Sequence, residues 1–219
     1  LPHYAGFVFA EEVRQLSKAL APPHPALVIL GGAKFETKTP LIEKFLRIAD
    51  TVFVCGALAN DIYKARGYET GTSLVSSHLP PVSLRADPKL QVPVDVVVQG
   101  AKVSTKKSAD TVLSTEKIVD AGEGALADLR ALIERAEFVL WNGPLGEYET
   151  GFDAGTIALA LMLAESDAET IVGGGDLLAV VSKLGLLERF SFVSTGGGAM
   201  LEFLAHGTLP GIEALRKSI

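Results

Sequence analysis

Six short stretches of the chain are apolar at consecutive positions instead of alternating ones: Ala26 to Leu30, Thr51 to Val54, Val94 to Val98, Phe138 to Trp141, Thr170 to Val172 and Ser191 to Val193. They are rich in valine and isoleucine, which fit a pleated strand, and an unbroken apolar run implies cover on both faces. The pattern predicts a parallel sheet between helices. All the runs end at or near glycine: Gly31-Gly32, Cys55-Gly56, Gln99-Gly100, Asn142-Gly143, Gly173-Gly174-Gly175 and Ser194-Thr195-Gly196-Gly197-Gly198.

The intervening segments carry the period of helices. Thr39 to Ala49 puts Leu41, Ile42, Phe45, Leu46 and Ile48 on one broad side, with Pro40 placed in a first turn. Asp153 to Glu165 and Asp176 to Leu184 read the same way. The alternation of strand, glycine turn and helix gives the fold class: an α/β domain of three layers, Rossmann-like, with a doubly wound parallel sheet of about six strands. Ligands of such sheets sit at the carboxyl ends of the strands, where the glycines are. Three regions break the rhythm. Leu1 to Ala21 holds an amphipathic helix (Phe9, Val13, Leu16, Leu20) stopped by Pro22-Pro23, and reads as a connector before a domain over 22–219. Leu79 to Gln91, with three prolines, reads as a surface loop, and polar Ala101 to Lys117 as an excursion of short strands or loop.

Composition narrows the partners. Hydrophobic residues make up 48% of 219, so the chain folds, and its longest apolar run, Ile157 to Ala164, falls far short of the ~20 residues that cross a bilayer. A net charge of −6 with scattered lysines and arginines argues against nucleic acid. One cysteine, Cys55, excludes an internal disulfide and suits a reducing cytoplasm, and the four histidines show no metal-ligand spacing. The first residue is Leu, which suggests a processed or excised piece. Glycine is in excess, 22 against about 15 at average usage of ~7%.

There is no Gly-Lys pair for a Walker A loop and no G-x-G-x-x-G after a strand. Even so, Gly173-Gly174-Gly175-Asp176 leaves a strand and opens a helix, where backbone N–H groups and the helix dipole favour an anion. Asp176 there either caps the helix or holds magnesium; by frequency alone the cap is favoured. Ser194 to Ala199 repeats the pattern one unit later. Lys34 and Lys38, four apart, either converge on a polyphosphate or form a solvated surface pair beside Glu36. Trp141-Asn142-Gly143-Pro144 with Glu149 suits a phosphate edge and a ribose, though an ordinary turn uses the same residues.

The order of these motifs resembles the phosphoglycerate kinase family. The match runs through Val28-Ile29-Leu30-Gly31-Gly32-Ala33-Lys34 with Lys38, then Val92 to Val98, then Trp141-Asn142-Gly143-Pro144 with Gly146 and Glu149. It continues in Gly173 to Asp176 and closes in Ser194 to Ala199, Glu202-Phe203-Leu204 and Leu209-Pro210-Gly211. The resemblance extends from about Tyr4 to the end and is to the carboxyl-terminal, nucleotide-binding half of that family.

It implies reversible phosphoryl transfer between ATP and 3-phosphoglycerate in glycolysis, with magnesium, by a cytoplasmic monomer. Phosphoglycerate itself would bind only with an amino-terminal half, which Pro2-His3-Tyr4-Ala5-Gly6-Phe7 and the helix after it would connect. By position, Lys34 and Lys38 would contact phosphates and the transferring group. Asp176 would hold magnesium, Glu149 the ribose hydroxyls and Asn142 a phosphate edge. The turn of Gly173, Gly174, Gly175, Asp176 and Leu177 would cradle phosphates, and Gly32, Ala33, Gly56 and Pro144 would shape the adenosine site. Gly196 and Gly197 would stabilise charge on the transferring phosphoryl.

Three places depart from the family. Cys55-Gly56-Ala57 replaces a triple glycine and adds two side chains beside the expected adenine slot. Glu116-Lys117-Ile118 replaces tryptophan-methionine-glycine, and Leu177 replaces Thr or Ser. The competing class is a stand-alone, non-catalytic nucleotide-binding domain, which these departures favour. An oxidoreductase on the same kind of sheet is disfavoured by the missing dinucleotide fingerprint.

Overall fold

The computed structural model of the chain describes residues 4–33, 35–101 and 103–216, without the side chains of residues 36 and 37. Lys34 and the Pro2-His3 pair therefore lie outside the described residues.

Six parallel strands form the main sheet. Helix α1 (Phe7–Lys18) precedes β1 (Ala26–Leu30), which leads through α2 (Phe35–Ile48) to β2 (Thr51–Val54) and α3 (Ala57–Ala65). After the short α4 (Val82–Arg85) and β3 (Leu90–Gln91), the chain leaves the sheet for β4 (Asp95–Gln99), β5 (Ser104–Ser108) and β6 (Lys117–Ala121). It returns by α5 (Glu123–Ile133) to β7 (Phe138–Asn142), then α6 (Ala154–Ala164), β8 (Glu169–Gly173), α7 (Gly175–Lys183), β9 (Phe192–Ser194), α8 (Gly198–His206) and α9 (Pro210–Arg216). The strand order is β3-β2-β1-β7-β8-β9, so the winding reverses between β1 and β7. Those two strands pair in register from Ala26 with Phe138 to Leu30 with Asn142.

The five residues of β1 are all buried, and they divide between two cores. Ala26, Val28 and Leu30 face a cluster containing Phe45, Leu58, Phe203 and Leu16 of α1; Leu27 and Ile29 face one containing Leu129, Trp141, Leu159, Leu177 and Val181. Both faces are thus apolar, which is why these strands show no alternation in sequence. Among the described residues no helix is long and apolar enough to cross a membrane.

Three expectations need correction. The valine run is not the sixth strand of the parallel sheet; it is the centre of a small antiparallel sheet, β5-β4-β6. Val96 and Val98 point into a third cluster while Val97 is half-exposed, and a run of valines conceals that alternation. The sixth parallel strand is β3, two residues long, inside the segment expected to be loop, where α4 also forms. Helix α2 begins at Phe35, so Pro40 falls in its second turn, on an exposed position.

Candidate functional site

Four turns leave the carboxyl ends of β1, β2, β7 and β8 and meet over the winding reversal. The floor where β1 and β7 end is backbone on backbone. A Cβ on Gly31 would lie 2.1 Å from the Pro144 carbonyl oxygen, and one on Gly143 would lie 2.6 Å from that of Gly31, at a φ of +90°. Only glycine allows this approach. Trp141 supports it from below, its Nε1 donating to the Gly143 carbonyl at 2.9 Å.

Two adjoining clefts open above this floor. The smaller, of about 260 Å³, is lined by Gly31, Gly32, Ala33, Lys38, Asn142, Gly143, Pro144, Gly174, Gly175, Asp176 and Leu177. The larger, of about 370 Å³, shares Gly32, Ala33, Pro144 and Asp176 with it and extends past Gly56, Ala57 and Ile118, with Glu149 also on its wall. Chain distant in sequence thus converges as the motifs required.

Lys38 is not a surface lysine. It is 8% exposed, and its Nζ donates to the Gly31 carbonyl at 2.5 Å and to Asn142 Oδ1 at 3.4 Å. Burial lowers its pKa, with the Asp176 carboxylate among the groups acting the other way. The opposite end of Asn142, Nδ2, donates to the Gly173 carbonyl at 2.8 Å. Both polar ends of Asn142 are therefore engaged with protein, and it ties the lysine to β8.

Asp176 does not cap. The N-cap of α7 is Gly174, no side chain bonds to that end, and Leu178 makes the first helical bond, back to Gly174. The N–H groups of the first turn are left without an intrahelical acceptor. The exposed Asp176 carboxylate instead accepts a hydrogen bond from the Tyr148 hydroxyl at 3.2 Å. A carboxylate here is a hard oxygen donor free to meet a cation. Among the described residues no group of three or more His, Cys, Asp or Glu could hold an ion unaided. One carboxylate completed by ligand phosphates and water is how magnesium is usually held.

Several expected site residues sit elsewhere. Gly173 lines neither cleft; it ends β8 against α8, where a Cβ would lie 2.4 Å from Met200 Sδ. Cys55 is fully buried in the core beside Leu30, its thiol pushed up to about 12 by burial, so of the two extra side chains only Ala57 reaches the larger cleft. Leu177 borders the smaller cleft, yet the residue is 0% exposed and its side chain packs in the core. Gly196 and Gly197 line neither cleft and form the neighbouring turn from β9 to α8. That turn is held by α1: Glu12 accepts from Ser194 Oγ at 2.8 Å and from the Thr195 backbone N–H at 2.7 Å.

Sequence reasoning missed Asp120, on the wall of the larger cleft. It is 5% exposed and accepts from the backbone N–H groups of Ala121 and Gly155, yet burial outweighs these bonds and raises its carboxyl to about 6. A carboxyl raised on folding stabilises the fold while protonated; that contribution is lost as pH climbs from the unfolded value near 4 through about 6. Unfolding free energy should therefore fall from pH 5 to 7.5 in the wild type relative to Asp120→Asn, which has no such proton. Parallel denaturation profiles for the two proteins would refute this.

The sequence profile of the family described as phosphoglycerate kinase matches residues 1–207. The chain is 39% identical over 221 residues to a phosphoglycerate kinase of Haemophilus influenzae (strain PittGG), covering 97% of this chain and 57% of that protein. It is 40% identical over 225 residues to one from Coxiella burnetii, with coverage of 96% and 57%. The solved structure of phosphoglycerate kinase from Coxiella burnetii superposes with a TM-score of 0.87 at 39% identity, covering 97% of this chain and 58% of that one. The enzyme from Pyrococcus horikoshii OT3 gives 0.83 at 28% identity. The chain spans about 57% of the length of the curated relatives it matches.

Proposed function

The chain belongs to the phosphoglycerate kinase family, and from that premise we propose that it is the nucleotide-binding half of an enzyme moving a phosphoryl group reversibly between ATP and 3-phosphoglycerate. The observation that carries this reading is the meeting of Lys38, Asn142, Pro144 and the α7 N-terminus around one cleft that opens into a second, partly apolar one. The nucleoside occupies the larger cleft, with Gly56, Ala57 and Pro144 against the base and Glu149 on the ribose. The phosphates occupy the smaller one, between Lys38 and the N–H groups of Gly174, Gly175, Asp176 and Leu177. Asp176 would hold magnesium, which when bound neutralises phosphate charge.

Phosphoryl transfer asks little covalent chemistry of the protein; alignment and charge neutralisation carry it. Lys38 supplies a fixed positive charge whose position Gly31 and Asn142 determine. By resemblance alone, Lys34, Gly196 and Gly197 would stabilise charge on the transferring group. Phosphoglycerate binds with the amino-terminal half of the family's enzymes, which α1 connects to residues 22–219. The working form is a monomer of the cytoplasm.

Calorimetry with ADP or ATP and magnesium at millimolar concentration tests the reading directly, and absence of heat refutes it. Lys38→Met should weaken binding by about tenfold to a hundredfold, because a hydrogen bond to a charged group nets ~1.5–3 kcal/mol. Glu149→Gln should cost only a few-fold, since water can replace much of an exposed ribose contact. A larger loss for Glu149→Gln than for Lys38→Met would place the phosphates elsewhere.

A further inference from the structure

We propose that Tyr148 is a positioning residue for the Asp176 carboxylate: its hydroxyl holds that group away from the amides of α7, so that the N–H groups stay open for phosphate and one carboxylate oxygen stays open for magnesium. The proposal rests on the reading of the two clefts as a nucleotide site with Asp176 as the metal ligand.

Asp176 lines both clefts where they adjoin, and Tyr148 lines the larger one. Asp176 stands in the first turn of α7. A carboxylate there is ordinarily drawn back to the unpaired N–H groups of its own helix and to the positive end of the dipole. Among the described residues no backbone N–H donates to it, and its one hydrogen-bond partner is the Tyr148 hydroxyl, which donates to Oδ1 at 3.2 Å. Oδ2 keeps its lone pairs for a cation.

The tyrosine is itself held. It opens a 3-10 turn, Tyr148–Thr150, and the residue before it, Glu147, is pinned to β6. The Glu147 N–H donates to the Val119 carbonyl at 2.8 Å, and its Oε2 accepts from Lys117 Nζ at 2.6 Å. The Glu147 carbonyl accepts from the N–H groups of Thr150 at 3.0 Å and Phe152 at 3.2 Å, which closes the turn. A half-buried ring on so anchored a turn brings its hydroxyl to a fixed place, and hydrogen bonds from such outer groups orient metal-ligating carboxylates. Glu149, read above as the ribose contact, lies on the same turn, so one short segment serves both ends of the nucleotide.

The test is calorimetry of the 219-residue chain with ADP, in saturating magnesium and in EDTA, on the unaltered protein, Tyr148→Phe, Asp176→Asn and the double variant. Tyr148→Phe should lose about threefold to tenfold more affinity in magnesium than in EDTA; an outer partner enclosed by protein is worth about 10- to 100-fold, and one open to water less. In the Asp176→Asn background the same change should alter the magnesium-dependent part by less than about twofold, because the group it positions is gone. Tyr148→Phe removes only a hydroxyl, and melting temperature on the same preparation follows the fold. An equal loss in both buffers, no loss, tighter binding in magnesium, or a magnesium-specific loss that persists in Asp176→Asn overturns the proposal alone. If the unaltered chain binds ADP equally with and without magnesium, the metal assignment of Asp176 falls and the proposal with it; if ADP does not bind at all, the nucleotide reading falls first.

Discussion

Leu177→Thr is expected to lower the melting temperature by roughly 6–12 °C and to leave nucleotide affinity no tighter than before. By resemblance, Leu177 stands where the family has Thr or Ser, and a hydroxyl facing phosphate would predict the opposite, a gain in affinity. The geometry decides between them. Leu177 borders the smaller cleft, yet the residue is 0% exposed and its side chain belongs to the core cluster under α7. Replacing it with Thr removes buried apolar volume and places a hydroxyl among side chains such as Leu159, Val172 and Val181. Shortening a buried leucine costs ~2–5 kcal/mol, and an unpaired hydroxyl adds to that. A net loss of about 3 kcal/mol gives the stated shift for a chain of this size. Thermal unfolding and ADP titration of one preparation separate the outcomes: tighter binding with unchanged melting would mean that the side chain turns toward phosphate.

A polypeptide limited to these 219 residues is expected to bind magnesium nucleotide and yet give no measurable turnover of 3-phosphoglycerate. Among the described residues neither cleft has an arginine or histidine on its wall to cradle a second phosphate and a carboxylate. Holding two reactants in line is worth about 7–11 kcal/mol of barrier, enough to abolish turnover when the acceptor is not positioned. A coupled assay at family-like rates from this polypeptide alone would refute the two-half proposal. Nucleotide binding without turnover, even after an amino-terminal half from a relative is supplied, would favour the non-catalytic alternative.

What could be read from sequence followed from how each feature is encoded. Strands buried on both faces advertise themselves as unbroken apolar runs, and the glycine turns after them marked the site because close backbone approach leaves no room for a side chain. The same signal misled at Val94 to Val98, since four near-continuous valines look alike whether Val97 is covered or half-exposed. Strand β3 is two residues long and offered no period at all. Lys38 was visible through its motif, but its burial was not, because that depends on Gly31 and on Asn142, 104 residues away.

The reversal of strand order between β1 and β7 also bears on how the molecule comes to be made. More than a hundred residues separate Leu30 from its partner Asn142, so during synthesis β1 waits with an open edge and two apolar faces until β7 has left the ribosome. Pairings this remote in sequence close late and slowly. The floor beneath the two clefts therefore cannot form until β7 is made, and a nascent chain stalled before Phe138 exposes a Val- and Ile-rich edge to its neighbours.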